Sequence, residues 1–455
     1  MKHLKTTNMK RYLFKVFLII LCLFLTNCTS SSSKFLYSKK PAFYSYIIGN
    51  INNNYINAEQ FADVYITPAS CQKTITALLA LKTLGPDFRY ETKLYISSSS
   101  KKQNIKNIVI SFAGDPNLTS DNLLTLLEPI RNQQIDGKII LDASLFKVPS
   151  HSLNIMLDDI GTNYAQPISS INLDKNLIKV TIMATELGKR AYFINDSEYL
   201  INSTIMTTNE PSSVNLTWQD NNIIYATGQI NIKDTSLELE ISPQELDYYL
   251  INKFKKLMKI LNIKGKIEIM RDYKNLIPNH VIYNKFYSKK LKEFLPPALK
   301  ISDNLVFDSL YLKIIHADNP TSIIHWNDGD KIVKQLVKQY FNVDLNESLI
   351  VDGSGLSRYN RINPRNFFEI LKQGYYDKEF IASLAAPGEK NSTLVDRIEL
   401  APDIRAKTGS MSGISCLCGY KINHKQPKIF IIVAHNFAPP SKEISKIIDQ
   451  FISNF

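Results

Sequence analysis

Pro68-Ala69-Ser70-Cys71-Gln72-Lys73-Thr74-Ile75-Thr76-Ala77-Leu78-Leu79-Ala80-Leu81 opens a predicted helix that Gly85-Pro86 stops. Thr67 is placed to cap it, and Pro68 suits its first turn. Ile75, Leu78, Leu79 and Leu81 make it apolar around much of its surface, which predicts a central, buried helix. Ser70 and Lys73 stand three positions apart on one face, so the amine can reach the hydroxyl. A serine needs a base within hydrogen-bond reach to attack a carbonyl. A lysine can be that base when burial or a neighbouring cation lowers its pKa.

Taken alone, the spacing arises by chance in most chains of this length. Two further triplets give it weight. Ser302-Asp303-Asn304 stands just before a predicted helix, and Lys407-Thr408-Gly409-Ser410 lies in an apolar strand pattern. A strand bearing Lys-Thr-Gly offers a cation, a hydroxyl and an edge backbone to a substrate carboxylate and peptide. Its glycine leaves room for close approach. Helix, loop and strand in this order point to one shared active site.

The same trio marks class A β-lactamases and penicillin-binding proteins. Over nearly all of its length the chain resembles the low-molecular-mass class C penicillin-binding proteins, serine-type D-alanyl-D-alanine carboxypeptidase/endopeptidases. Further matches are Leu84-Gly85-Pro86-Asp87-Phe88-Arg89, Gly114-Asp115-Pro116 and the characteristic run Asp352-Gly353-Ser354-Gly355-Leu356-Ser357-Arg358. Ser392 departs from the pattern, since glycine is usual there, and the loop from Arg397 to Lys407 is short. Cys71 occupies a position where the family varies.

The resemblance implies an α/β (α+β) fold. It would be a β-lactamase/transpeptidase-like domain with a large strand-rich double insertion between the first and second motifs. Lys73 and Ser302 are 229 positions apart, which leaves room for it. The expected division is a signal peptide at 1–27, a tether at 28–34 and a catalytic domain at 35–89 and 284–455. Inserted domain II would take 90–173 and 233–283, and inserted domain III 174–232.

The resemblance also assigns roles. Ser70 attacks a D-Ala-D-Ala carbonyl and Lys73 takes its proton, aided by the charge of Lys407. Backbone N–H groups of Ser70 and Ser410 form the oxyanion hole. Ser302 relays a proton to the leaving amine and Asn304 holds the substrate's side amide. Lys407 and Thr408 bind the terminal carboxylate beside Gly409. Asp159, Arg358 and Met411 would line a pocket for the diaminopimelate side chain of a peptidoglycan stem peptide. Asp159 would meet its ammonium, and Arg358 its carboxylate through the guanidinium fork. β-Lactams would acylate Ser70. No metal or cofactor is called for.

Two other readings compete. A class A β-lactamase needs a Glu-x-x-Leu-Asn segment, and Glu347 is followed by Ser348-Leu349-Ile350-Val351. A non-catalytic peptidoglycan-binding scaffold would not need every catalytic position intact. A Ser-His-Asp hydrolase is excluded because no histidine, His316 and His325 included, sits in a suitable motif.

The remaining chain supports these expectations. Its 455 residues suffice for several domains, and 44% hydrophobic with 21% charged residues excludes wholesale disorder. Lys2, Lys5, Lys10, Arg11 and Lys15 precede the apolar run Val16–Leu25, which has signal-peptide proportions. Leu25-Thr26-Asn27-Cys28 resembles a bacterial lipobox with Cys28 as the lipidated residue. Asn27 departs from it, so an ordinary cleaved signal is the alternative. Either way the protein is expected to be exported to the periplasm, with lipid anchoring if Cys28 is modified. Loss of 1–27 removes five of the charges behind the formal +12. The moderate basicity left suits an acidic wall polymer or anionic membrane better than nucleic acid. Cys71, Cys416 and Cys418 are too few for a disulfide framework, and the last two share one side of a predicted strand.

The coarse secondary structure has strands at Thr92–Ile96, Ile105–Phe112, Leu177–Met183, Ile223–Ile232 and Leu237–Ile241. Ser242-Pro243-Gln244-Glu245 reads as a capping box for a helix that Gly265 ends, with Lys253, Lys255, Lys256 and Lys259 as its solvated side. Helices are expected at Leu305–Ile315, Asp330–Tyr340 and from Ser441, which would cap the last. Strands are expected at Ile404–Ser410 and Ile429–His435.

Overall fold

The computed structural model describes residues 42–455 apart from 54, 99–104, 147–149, 153–154, 196–197, 221, 272–278, 319–324, 423–424 and 439. The expected signal segment, the tether, Cys28 and most of the loop Ser97–Asn104 lie outside the described residues.

A five-stranded antiparallel sheet unites the two ends of the chain. Its strands are β1 (Phe43–Asn50), β2 (Ile56–Gln60), β3 (Ile404–Met411), β4 (Ile414–Lys421) and β5 (Lys428–His435), in the order β3-β4-β5-β1-β2. Strand periodicity sends alternate residues to opposite faces. Ile47, Cys416, Cys418, Ile429, Ile431 and Val433 join one core, and Tyr46, Ile48, Leu417, Phe430, Ile432 and Ala434 join another. The first core packs against α1 (Lys73–Thr83), α2 (Leu291–Ile301) and α3 (Asn304–Asp318). The second is closed by α4 (Ser441–Ser453) through Ile444, Ile447, Ile448, Phe451 and Ile452. Such side chains contribute about 1.5–3 kcal/mol each when fully buried. β1 has no counterpart in the sequence reading, because Phe43–Asn50 is buried on both faces and lacks polar alternation.

Between α1 and α2 the chain builds the expected extra sheets. A mixed sheet runs Lys264–Met270, Gln134–Asp142, Ile108–Ser111, Glu91–Ser97, His280–Tyr287 in spatial order. Smaller sheets form from Ile178–Met183, Tyr192–Asn195 and Ser236–Ile241, and around the hairpin Ser213–Asp220/Ile223–Asn231. Leu94, Ile110, Val180, Ile224 and Phe254 belong to one continuous core, so these sheets share their interior.

Several local expectations need correction. The helix Leu246–Ile260 forms, but Ser242 does not cap it: its hydroxyl donates to the Thr162 carbonyl at 2.6 Å. Gly265 lies in a strand, and Asn262, at φ +52°, takes the left-handed position after the helix. Lys253 is not solvated, since it pairs with Asp174 at 3.2 Å with 11% of its side chain exposed. Ser441 is the first residue of α4 and makes no cap. The strand expected from Ile105 begins at Ile108.

Candidate active site

Ser70 sits in a 3-10 turn, Ala69–Gln72, and the α-helix proper starts only at Lys73. Thr67 does not cap it: the Thr67 hydroxyl accepts from the Arg361 guanidinium and donates to the Arg358 carbonyl. Ala69 has φ +48°, an uncommon state for a residue with a Cβ, directly before Ser70. Two glycines let this strained turn fit. A Cβ at Gly409 would stand 2.9 Å from the Pro68 carbonyl oxygen, and one at Gly355 only 1.9 Å from that of Ala69. The turn is thus clamped between the edge strand β3 and the Asp352–Arg358 run.

Lys73 is fully buried, and its Nζ lies 2.9 Å from Ser70 Oγ, 2.6 Å from Asn304 Oδ1 and 2.6 Å from the Ser354 carbonyl oxygen. Burial pushes its pKa down to about 7, and the Lys407 cation adds to the effect. Desolvation is therefore the larger of the two causes that the sequence reading allowed. The two acceptors shape the chemistry. A neutral amine has two N–H bonds and one lone pair. In the neutral amine the amide and carbonyl oxygens can take the two N–H bonds, which frees the lone pair to accept from the Ser70 hydroxyl, to which the ammonium form donates.

The second motif joins two helices. Ser302, at φ +65°, is the left-handed C-cap of α2, a helix that the sequence reading missed because Pro296 and Pro297 lie inside it. Its amphipathic face, Leu291, Phe294, Leu295, Ala298 and Leu299, is buried and overrides the proline penalty of about 3 kcal/mol. Asp303 accepts from Val306 N at 3.0 Å, capping α3, and pairs with Lys175 at 2.9 Å. Asn304 thereby starts α3 with its Oδ1 on Lys73 and its Nδ2 donating to the Tyr164 carbonyl at 2.7 Å.

On β3, Lys407 is 2% exposed and donates to the Thr408 carbonyl at 2.7 Å. Burial lowers its pKa to about 8. The Thr408 hydroxyl donates to Thr393 Oγ1 at 2.7 Å. Across the ladder Lys407 faces Cys418 and Gly409 faces Cys416, and Cys71 belongs to the same buried core as both cysteines. All three cysteines are free and buried.

A cleft of about 400 Å³ brings Ser70, Ser302, Asn304 and Ser410 together with Asp159, Arg358 and Met411. Lys73, Lys407, Thr408 and Gly409 are not among its lining residues. Asp159 Oδ1 accepts from the Tyr164 hydroxyl at 2.8 Å, and Arg358 donates to the Ser412 carbonyl at 3.1 Å. The sequence reading missed Tyr164, whose carbonyl serves Asn304 while its hydroxyl serves Asp159. A backbone acceptor carries no side-chain signature. It also missed Asp308, although Asp308 lies one helical turn after Asn304. A larger cavity of about 670 Å³ opens beyond Asp303, away from Ser70, with Lys175 and Asp115 in its wall.

A buried lysine against a serine at a helix start, an asparagine from a second helix and a Lys-Thr-Gly edge strand define a serine acyl-transfer enzyme of the penicillin-recognising kind. The chain belongs to the D-Ala-D-Ala carboxypeptidase 3 (S13) family, whose model matches residues 38–455. It is a serine-type D-Ala-D-Ala carboxypeptidase, and the expected family is borne out. The chain is 25% identical over 411 residues to the D-alanyl-D-alanine carboxypeptidase DacB of Haemophilus influenzae, covering 85% of this chain and 84% of that one. A D-alanyl-D-alanine carboxypeptidase of an Actinomadura species is 24% identical over 410 residues, with 83% and 74% covered. The crystal structure of H. influenzae penicillin binding protein 4 (dacB) superposes with a TM-score of 0.81 at 24% identity, over 94% of this chain and 98% of that one. The expected fold is likewise borne out. The same H. influenzae protein complexed with a β-lactam gives a TM-score of 0.75 at 23% identity, with the same shares covered.

Proposed function

We propose that Ser70 is the acylated nucleophile and Lys73 its general base, and that the enzyme also cleaves peptidoglycan cross-links. The observation that carries this reading is the contact set of Lys73: two acceptor oxygens at 2.6 Å and Ser70 Oγ at 2.9 Å, so that the neutral amine can turn its lone pair to Ser70. Ser70 Oγ bonds to the penultimate D-Ala carbonyl carbon as Lys73 takes the hydroxyl proton. The oxyanion is held by the N–H groups of Ser70 and Ser410, each such donor being worth about 3 kcal/mol. The C–N bond then breaks, and the proton passes through Ser302 to the departing amine. Water then attacks the ester as Lys73 takes its proton, and Lys73 hands that proton to Ser70 Oγ as the ester C–O bond breaks, which frees the acid product and restores Ser70.

Asn304 would hold the substrate's side amide, and Lys407 with Thr408 its terminal carboxylate. Asp159, Arg358 and Met411 share the cleft with Ser70, which supports a diaminopimelate side-chain pocket. Cleavage of a cross-link differs from carboxypeptidase action only in the leaving group, a diaminopimelate D-amine in place of free D-Ala. We place the mature protein in the periplasm, with Cys28 as its lipid anchor if Asn27 permits processing.

The test is labelling with fluorescent penicillin, followed by mass analysis, alongside D-Ala release from a pentapeptide and cleavage of a cross-linked muropeptide dimer. The expected result is one drug mass on Ser70, with Ser70→Ala inert in all three assays. A Ser70→Ala protein that still gains the drug overturns the assignment. An unmodified Cys28 in protein from the native host overturns the anchor.

A further inference from the structure

Of the two oxygens that orient Lys73, one is the Asn304 side chain and the other a main-chain carbonyl, that of Ser354. A carbonyl points where its turn sends it. The turn at Asp352–Ser357 is tightly held. Asp352 accepts from Gly355 N and Ser357 N, both at 2.7 Å, and from Asn360 Nδ2 at 2.9 Å. The Thr76 hydroxyl, from α1, donates to the Gly353 carbonyl at 2.8 Å. The peptide groups that lead into Ser354 are fixed from α3. Asp308 Oδ1 accepts from Gly353 N at 2.9 Å and from Ser354 N at 2.7 Å. Gly353 is pressed so close to α3 that a Cβ would stand 2.3 Å from the Phe307 carbonyl oxygen.

Asp308 is 5% exposed and lies four residues after Asn304, on the same face of α3. One helix face therefore supplies one acceptor of Lys73, Asn304, and braces through Asp308 the two peptide groups before the Ser354 carbonyl, whose own peptide Asp352 holds at Gly355 N. A buried carboxyl is a costly way to brace a turn. Burial and the neighbouring Asp352 carboxyl push its pKa up, while Lys73 and the Ser354 N–H and hydroxyl pull it down. Asp352 and Lys73 are thus the charged groups that act on it, with Tyr311 beside it on α3.

We propose that Asp308 is a positioning residue for acylation: by accepting the Gly353 and Ser354 N–H groups it aims the Ser354 carbonyl at Lys73, and so keeps the neutral amine's lone pair on Ser70. The proposal rests on Lys73 being the base. It assigns Asp308 an acceptor role, which an amide oxygen can also fill.

The experiment measures penicillin acylation over a range of drug concentrations, separating the limiting rate from the half-saturating concentration, with melting temperature as the fold control. Asp308→Ala is expected to lower the limiting rate about 10- to 100-fold, the usual consequence of an ångström-scale misplacement, with half-saturation within about twofold of the parent. Asp308→Asn, which keeps one acceptor oxygen, is expected to stay within about fivefold of the parent rate. Should the alanine variant not fold, Asp308→Ser takes its place, since its oxygen is too short to meet both N–H groups. A folded alanine or serine variant with the parent rate overturns the proposal. So does an asparagine variant as slow as alanine, or a loss confined to half-saturation. Lys73→Arg in parallel separates the two ideas. If it acylates normally, the base reading fails. If it is inert while Asp308→Ala is normal, only the role of Asp308 fails.

Discussion

The Cys71 thiol donates to the Lys407 carbonyl oxygen at 3.3 Å, so the residue after Ser70 is tied to the strand β3 that carries Lys407. Cys416 and Cys418 close around the same thiol from β4. The three sulfurs form part of the core beneath Ser70, and their solvent exposure is 2% or less. A chain starting after Cys28 should therefore show no thiol reactive to a disulfide reagent in native buffer and three in denaturant, read by absorbance. Rapid native modification would contradict this packing. Cys71→Val should lose the bond to Lys407 and destabilise the fold by about 1 kcal/mol, measured by urea unfolding.

Acylation should follow the ionisation of Lys73. Its pKa is lowered to about 7, so the rate should climb as pH rises through that value and level off above it, where the amine is neutral. Lys73→Arg should lose about 10²- to 10⁴-fold, since a guanidinium keeps its proton. Lys407→Ala removes a cation that lowers the Lys73 pKa, so the rising limb should move to higher pH. Stopped-flow acylation from pH 5 to 9 reads both effects, and a limb that moves to lower pH in Lys407→Ala would refute the sign.

Asn304→Asp places a carboxylate where a neutral oxygen now stands 2.6 Å from Lys73 Nζ. An opposite charge at that distance favours the ammonium form and raises the lysine pKa by about 1–3 units. The variant should be nearly inactive at pH 7 and recover in part toward pH 9. A uniform loss at every pH would mean that contact with substrate, not the state of Lys73, is what the asparagine provides.

Gly409→Ala should damage the site without touching a catalytic side chain. The new Cβ would meet the Pro68 carbonyl oxygen at 2.9 Å and the Ala69 Cβ at 3.1 Å, both on the strained turn before Ser70. Overpacking of this kind costs about 1–3 kcal/mol. The melting temperature should fall, and penicillin labelling of the folded fraction should slow.

Asp159→Asn tests the side-chain pocket. If Asp159 meets a substrate ammonium, its loss should lower kcat/KM about tenfold for a peptide with a free side-chain amine, relative to the same peptide acetylated there. An unchanged ratio would assign Asp159 to bracing Tyr164, whose hydroxyl it already accepts at 2.8 Å.

The amino-acid sequence alone determined the three motif triplets, the class of enzyme and the room for an insertion. Ser70 and Lys73 are close in sequence, and one helical turn suffices to bring them together. The helix Leu246–Ile260 and the strands β3 and β5 were also legible, because their apolar spacing is regular. Only the tertiary structure decided the surroundings of Lys73. Its acceptors come from residues 231 and 281 positions away, and one is a backbone carbonyl that any residue could supply. Burial, the first cause of its lowered pKa, is a property of the assembled core and of no single segment. The missing caps have the same origin. Thr67 and Ser242 carry capping side chains, but their hydroxyls are taken by distant partners, Arg361 and Thr162, that local sequence cannot announce.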